Sequence, residues 1–185
     1  FPKPDYCLAL HASASLEAGK VGYCPGYALA SVDMVDITVF GQGGHGAYPH
    51  TTIDPIVLAS RMVLDFQTIV SREIAPTEPA VVTVGSIHGG TKHNIIPSEV
   101  KMQLTLRSYS DDVRKHTLAA LERISKGVAR SAGLPEDKMP VIKVQNESIP
   151  STYNTPELAE KVSISFQKAI GAENVVKLDA VMGGE

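Results

Sequence analysis

The sequence predicts an α+β domain of the ferredoxin-like type, a four-stranded antiparallel sheet with two helices on one face. Over residues 33–147 the hydrophobic periods follow the order strand, helix, strand, strand, helix, strand. One of these strands alternates apolar and polar residues, which is typical of an antiparallel sheet with one face in water. The chain has 185 residues, of which 43% are hydrophobic, so it can bury the core of one large domain.

The first strand and the first helix are marked by β-branched residues and by a capping pair. Residues 33–40 are rich in Val and Ile, and the glycine-rich run 41–44 stops them. Asp54 followed by Pro55 is typical of a helix start, with the carboxylate as N-cap and the proline in the first turn. Apolar residues then recur at spacings of three and four, so we expect the helix to reach about Ser71.

Two strands and a second helix follow. Residues 80–84 are strand-like and are expected to end at Gly85, whereas residues 100–107 alternate apolar and polar side chains. Ser110 is the expected N-cap of a helix that runs to a Gly-Leu-Pro stop at 133–135. Residues 140–144 are the last predicted strand of the domain.

The flanking residues 1–32 and 148–185 are interpreted as pieces of a second domain. The first contains two short apolar runs of strand type, residues 6–10 and 20–24, and the second predicts a helix from Thr155 to Gly171 followed by a strand. Both ends of the chain are expected to be cuts within a longer protein.

Composition excludes several classes of protein. Seventeen basic residues against twenty acidic ones give a net charge of −3, and the basic residues are scattered, so nucleic-acid binding is not expected. The sequence contains no apolar run long enough to cross a bilayer, so no membrane partner is expected. Cys7 and Cys24 are expected to be small buried apolar residues, with a bridge between them as the less favoured alternative.

Four of the six histidines lie in glycine-rich segments. His45 and His50 are five residues apart, as are His88 and His93, and neither spacing matches the two helical histidines of an HExxH zinc site. We therefore interpret them first as loop residues. His11 closes an apolar run, where a buried ring would need a partner, and metal ligation and a satisfied core histidine are both open for it.

The glycines around His45 match no phosphate-binding motif. They are not followed by a Lys-Ser or Lys-Thr pair, and about ten residues separate them from the next helix. What they permit is a close approach of backbone around an imidazole. Further along the chain, Asn94 and Arg107 supply an amide and a guanidinium that could hold a carboxylate together, or could be an ordinary turn residue and strand-end residue.

In combination, these motifs resemble the dinuclear-zinc aminoacylase and carboxypeptidase superfamily. The segments around residues 10–12 and 19–22, with Gly183-Gly184-Glu185, look most like its N-acyl-amino-acid amidohydrolases, the hippurate hydrolase branch. The resemblance extends over essentially the whole chain. The other segments that carry it are Gly41–His50, Thr52–Ile56, Asn94–Pro97 and Leu106–Arg107.

The resemblance implies a zinc-hydrolase domain into which a ferredoxin-like satellite domain is inserted. Residues 33–147 would be the satellite, which forms a homodimer, and the flanks would be parts of the α/β catalytic domain. By the same resemblance, His11 matches a metal ligand, His45 a histidine that reaches the partner's substrate carbonyl, and Asn94 and Arg107 positions that bind the substrate carboxylate. The implied substrate is an N-acyl amino acid or a small peptide, cleaved with a divalent metal, expected to be zinc, at two ions per active site.

The chain also departs from the family, because it lacks the Cys-x-His motif, the Glu-Glu pair and the last histidine ligand. A catalytic zinc needs about three protein ligands, so we expect these 185 residues alone to bind zinc weakly and to be inactive. The alternative is a non-catalytic ferredoxin-like module for dimerisation or for binding a small carboxylate. No residue indicates the compartment, although a cytoplasmic location is favoured.

Overall fold

The computed structural model of the chain describes residues 2–146 and 148–184. They form two compact units, the smaller built from residues up to 26 and 154–179 and the larger from 27–153 and 180–184. The strands are β1 Val21–Tyr23, β2 Gly26–Leu29, β3 Ser31–Phe40, β4 Gly44–His45, β5 Ala80–Gly89, β6 Ile95–Ile96, β7 Glu99–Ser108, β8 Val141–Val144, β9 Thr152–Asn154 and β10 Val175–Lys177. The helices are α1 Pro55–Thr68, α2 Asp111–Ser131 and α3 Pro156–Ile170.

The larger unit is built on one four-stranded sheet. Its strand order is β5-β7-β3-β8, and every neighbouring pair is antiparallel. With α1 between β3 and β5 and α2 between β7 and β8, this is the predicted βαββαβ arrangement, and the predicted fold class is confirmed.

The core lies between the sheet and its two helices. The odd-numbered residues of β3 from Val35 and the even-numbered residues of β7 point to this side, and the register places Ile37 opposite Met102. α1 packs against β3, β5 and β7, while α2 packs against β7 and α1. The most deeply buried large side chains include Val35, Ile37, Val39, Met62, Phe66, Val100, Met102 and Leu121.

Both helices of this unit begin at the predicted caps. The Asp54 carboxylate accepts a hydrogen bond from the backbone N–H of Ile56 at 2.8 Å, and the Ser110 hydroxyl accepts one from Val113 at 3.3 Å. These side chains satisfy N–H groups that the first helical turn leaves without a partner. The first helix is α-helical only to Thr68, and a π-helical segment over residues 69–73 completes it.

One buried ion pair attaches α2 to the sheet. Asp33 lies on the helix side of β3 with 1% of its side chain exposed, and Arg114 donates to both of its carboxylate oxygens at 2.6 Å. These hydrogen bonds raise the pKa of the Arg114 guanidinium above its usual value. The pair fixes the first turns of α2 over β3.

The strand predicted to stop at Gly85 instead continues to Gly89. The register of β5 against β7 shifts between Val84 and Ser86, so Gly85 is the extra residue of a β-bulge. A glycine inside a strand pattern fits a bulge as well as a strand end, and here the pairing with β7 continues beyond it.

The smaller unit contains β1 paired in parallel with β10, and α3. The prediction of a buried strand over residues 6–10 is wrong, because this segment has no regular structure and the side chain of Leu10 is 83% exposed. None of the described strands pairs with it. Cys7 is likewise exposed, not buried, and it forms no disulfide with Cys24.

None of the described helices is both long enough and apolar enough to cross a bilayer.

Candidate substrate-binding site

His45 and Asn94 lie side by side at one end of the larger unit. The short strands β4 and β6 pair antiparallel, with His45 opposite Ile95. Immediately after His45, the backbone N–H of Gly46 donates to the carbonyl of Asn94 at 2.8 Å. The loop after β3 and the loop before β7 therefore bring together two residues that are 49 positions apart in the sequence.

The glycines of the first loop make this approach feasible. A Cβ atom on Gly43 would lie 2.7 Å from the carbonyl oxygen of Ile96, and one on Gly46 would lie 3.2 Å from that of Asn94. Neither glycine has a positive φ, so the need is for space and not for an unusual backbone conformation. The close backbone approach predicted from the glycines is confirmed.

The ring of His45 is exposed and held by its own loop. The backbone N–H of Ala47 donates to His45 Nδ1 at 3.1 Å, and the ring of Tyr48 lies 5.7 Å away between centroids. Because Nδ1 accepts this bond, the neutral imidazole carries its proton on Nε2. The loop thus fixes a tautomer that can donate from Nε2 to a carbonyl oxygen.

Arg107 lies near the end of β7, with Val32 and Val81 as its cross-strand neighbours. The side chain is half-buried, and Nη1 donates to the carbonyl of Met182 at 2.8 Å. The guanidinium is therefore fixed by a backbone group that lies 75 residues away in the sequence.

Within one chain, Arg107 is far from His45 and Asn94. The register of β3 against β7 sets Arg107 opposite Val32 and Glu99 opposite Phe40, and the loops of His45 and Asn94 lie beyond the Phe40 end. Eight residues of strand separate those ends, or about 26 Å at roughly 3.3 Å per residue. The expectation that Asn94 and Arg107 together hold one carboxylate is therefore not met inside a single chain.

A family model described as the peptidase dimerisation domain matches residues 27–132. The chain belongs to this family. A thermostable carboxypeptidase of Saccharolobus solfataricus is 33% identical over 98% of the chain and 44% of its own length. An N-acetyldiaminopimelate deacetylase of Streptococcus uberis is 36% identical over 98% of the chain and 47% of its own length. The chain spans less than half the length of these relatives.

Solved structures of similar proteins contain the same fold. One from methicillin-resistant Staphylococcus aureus, described as an aminohydrolase, has a TM-score of 0.81 and 31% identity, over 95% of this chain and 44% of that one. A Bacillus subtilis protein described as a dinuclear metal-binding peptidase of the M20 family has a TM-score of 0.72 at 24% identity, over 95% and 42%. The resemblance to the aminoacylase and carboxypeptidase superfamily is confirmed: the relatives of this peptidase dimerisation domain are amidohydrolases and peptidases.

His11, the predicted metal ligand, lies in the smaller unit outside any helix or strand. Its ring is exposed, and Nδ1 is in hydrogen-bond contact with the carbonyl of the next residue, Ala12. Among residues 2–146 and 148–184, no group of three or more His, Cys, Asp and Glu side chains could hold a metal ion. Glu185, the last residue of the Gly-Gly-Glu motif, lies outside the described residues.

The remaining histidines have separate surroundings. His50 packs edge-on against Tyr48, with ring centroids 6.2 Å apart, and His116 Nε2 lies 3.3 Å from a carboxylate oxygen of Glu73. His88 lines an open cleft together with Lys101, whereas His93 is exposed in the loop that precedes Asn94. None of these four joins His45 in a cluster of hydrogen bonds within the described residues.

Proposed function

We propose that this chain is the dimerisation and substrate-binding part of a metal-dependent amidohydrolase that cleaves N-acyl amino acids or small peptides. In the proposed homodimer, each active site takes His45 and Asn94 from one subunit and Arg107 from the other. The observation that carries the proposal is the separation of these residues to opposite ends of one sheet. Two copies related by a two-fold axis can bring the two ends together.

The edge strand β5 and the helix α1 offer the surface for this pairing. β5 is ten residues long, contains no Lys, Arg, Asp, Glu or Pro, and has no strand on its outer side among the described residues. On α1, which packs against β5, Val57 and Leu64 lie two turns apart and are 55% and 71% exposed. A long uncharged edge, next to a helix that exposes apolar residues, is what a second copy of the same strand and helix would cover.

The direction of β5 decides what such a dimer brings together. Val81 near its start pairs with Arg107, whereas Gly89 at its end pairs with Val100, on the side of the His45 loop. A two-fold axis perpendicular to the sheet makes the two β5 strands antiparallel. The start of one β5 then lies beside the end of the other, so Arg107 of one subunit shares its end of the joined sheet with His45 and Asn94 of the partner.

The chemistry of these side chains suits the cleavage of an acyl bond. The Nε2–H of His45 can donate to the carbonyl oxygen and to the oxyanion that forms from it. Arg107 can bind the carboxylate of the released amino acid through two parallel hydrogen bonds, and Asn94 can add a third donor. Each of these interactions orients the substrate or stabilises charge without requiring a residue of this chain to act as nucleophile.

A divalent metal, for which zinc is the proposal, would activate the water that attacks the carbonyl. His11 could supply one ligand, since its imidazole is exposed in the unit outside the dimerisation fold. A catalytic zinc takes about three protein ligands, so the remaining ligands would come from the catalytic domain of the longer enzyme. In that enzyme, His11→Ala should reduce the bound metal.

The role of His45 is tested by two alanine variants of the full-length enzyme. His45→Ala should lower kcat by roughly 10²–10³ while the metal content stays constant, because it removes the oxyanion donor and no ligand. His50→Ala is the matched control, a second exposed histidine five residues further along. Equal losses for both variants, or a His45→Ala enzyme with normal kcat, would contradict the proposed role.

A further inference from the structure

The segment Met182–Gly184 is attached to the end of the sheet where Arg107 lies. The backbone N–H of Val181 donates to the carbonyl of Ala28 at 3.0 Å, and the N–H of Ala30 donates to the carbonyl of Gly183 at 2.7 Å. These bonds hold the segment against residues 28–30, which directly precede β3.

The guanidinium of Arg107 has one hydrogen bond within residues 2–146 and 148–184, the bond from Nη1 to the carbonyl of Met182 at 2.8 Å. An arginine carries five N–H groups, so four of them make no hydrogen bond within those residues. The bond to Met182 removes much of the rotational freedom of a long side chain, and a guanidinium that is already fixed loses less entropy when it binds a carboxylate.

We infer that Met182–Gly184 is a positioning segment for Arg107, which sets the selectivity of the site for substrates with a free carboxylate. This inference deepens the proposed function and rests on the carboxylate role that it gives to Arg107. The segment does not itself contact the substrate in this proposal, because it acts only by holding the guanidinium of Arg107 in one orientation.

The two glycines of the segment differ in a way that makes the inference testable. A Cβ atom on Gly184 would lie 2.5 Å from the carbonyl oxygen of Ala30 and would overlap the side chain of Val32, the cross-strand neighbour of Arg107. A Cβ atom on Gly183 would meet only Val181, at 3.8 Å. Gly184→Ala must therefore displace the segment, whereas Gly183→Ala leaves it in place.

The experiment compares two substrates in the full-length enzyme: an N-acyl amino acid and the same compound with its carboxylate replaced by a carboxamide. The quantity measured is the ratio of their kcat/KM values. Arg107→Ala should lower this ratio by roughly 10- to 100-fold, the usual effect of losing a charged hydrogen bond. Gly184→Ala should lower it about tenfold, mainly through KM of the carboxylate substrate, and Gly183→Ala should leave it unchanged.

The outcomes separate this inference from the proposed function. If Gly184→Ala lowers kcat/KM equally for both substrates, or not at all, the positioning role is wrong. If Arg107→Ala itself leaves the ratio unchanged, the proposed carboxylate role of Arg107 fails first.

A second measurement applies if Gly184→Ala does not fold. In the Arg107→Ala enzyme, hydrogen exchange at the Ala30 amide should be faster than in the wild type, because Met182 has lost its partner and the segment loosens. Unchanged exchange at Ala30 would show that Arg107 and the segment are not coupled.

Discussion

The two edges of the central sheet differ in how they meet their surroundings. β8 is only four residues long, follows Pro140 and exposes Lys143, all features that discourage another strand from pairing with it. β5 is ten residues long and contains no Lys, Arg, Asp, Glu or Pro. Only the β8 edge carries features that discourage association, so the proposed dimer is assigned to the β5 edge.

The helix layer repeats this difference. α1, which packs against β5, exposes the apolar residues Val57 and Leu64. α2 is attached to the sheet by the Asp33–Arg114 pair and forms, with β8, a groove edged by Glu122 and Lys126, whose side chains are paired with each other. If the proposed dimer forms through β5, fold stability and association depend on different edges of the same sheet, and variants can separate the two.

The largest expected effect is on stability. Asp33→Ala removes both charged hydrogen bonds of Arg114, 29% of whose side chain is exposed, which should lower the free energy of unfolding by about 2–3 kcal/mol. Asp36→Ala is the matched control on the same strand: this half-buried aspartate accepts hydrogen bonds from Gln103 and Gln145, and its loss should cost about 1 kcal/mol. Urea unfolding followed by circular dichroism measures both values. Equal losses would mean that the ion pair does not hold α2 in place.

A smaller effect, confined to association, is expected at the open edge. Ile87→Lys places a charge on β5 where 45% of the isoleucine is exposed, and the two-fold symmetry repeats that charge in the partner. The dimer dissociation constant should rise by roughly 10- to 100-fold, because each unpaired charge must be buried in the interface. Sedimentation of the 185-residue chain measures it.

The control for this variant lies on the protected edge. Val141→Lys changes an apolar residue of β8 that is 54% exposed, and it should leave the dimer intact. If Val141→Lys dissociates the dimer and Ile87→Lys does not, the edges have been assigned the wrong way round.

Much of the fold could be predicted because its determinants are local. The alternation of residues 100–107 and the caps at Asp54 and Ser110 depend on neighbours in the sequence, and the structure confirms all three. The apolar run at residues 6–10 also looked like a strand, but a strand needs a pairing partner, and its own sequence does not reveal whether there is one.

The candidate site could be predicted only as a set of residues, not as an arrangement. The ten-residue strand β7 separates Arg107 from Asn94, although the two are only 13 positions apart in the sequence. The contact between Arg107 and Met182 spans 75 positions, and no local pattern announces it. Gly184 is the residue that could have indicated this contact. A glycine that lies in a family motif but not in a turn indicates that two stretches of backbone approach each other closely.

Mixing of variant subunits tests whether the active site is shared. His45→Ala and Arg107→Ala full-length enzymes, each with strongly reduced activity alone, are mixed and allowed to exchange subunits. In the heterodimer, one site combines the intact Arg107 of the first chain with the intact His45 of the second. Random exchange makes half of the dimers mixed, so activity should recover to about a quarter of the wild-type value.

The control mixture combines His45→Ala with Asn94→Ala. Both residues reach the same site from the same subunit, so every site in this heterodimer lacks one of them and activity should stay at the level of the single variants. Recovery with Arg107→Ala and none with Asn94→Ala is the result that the shared site predicts. A His45→Ala and Arg107→Ala mixture that stays inactive, although mass spectrometry shows heterodimers, would contradict it.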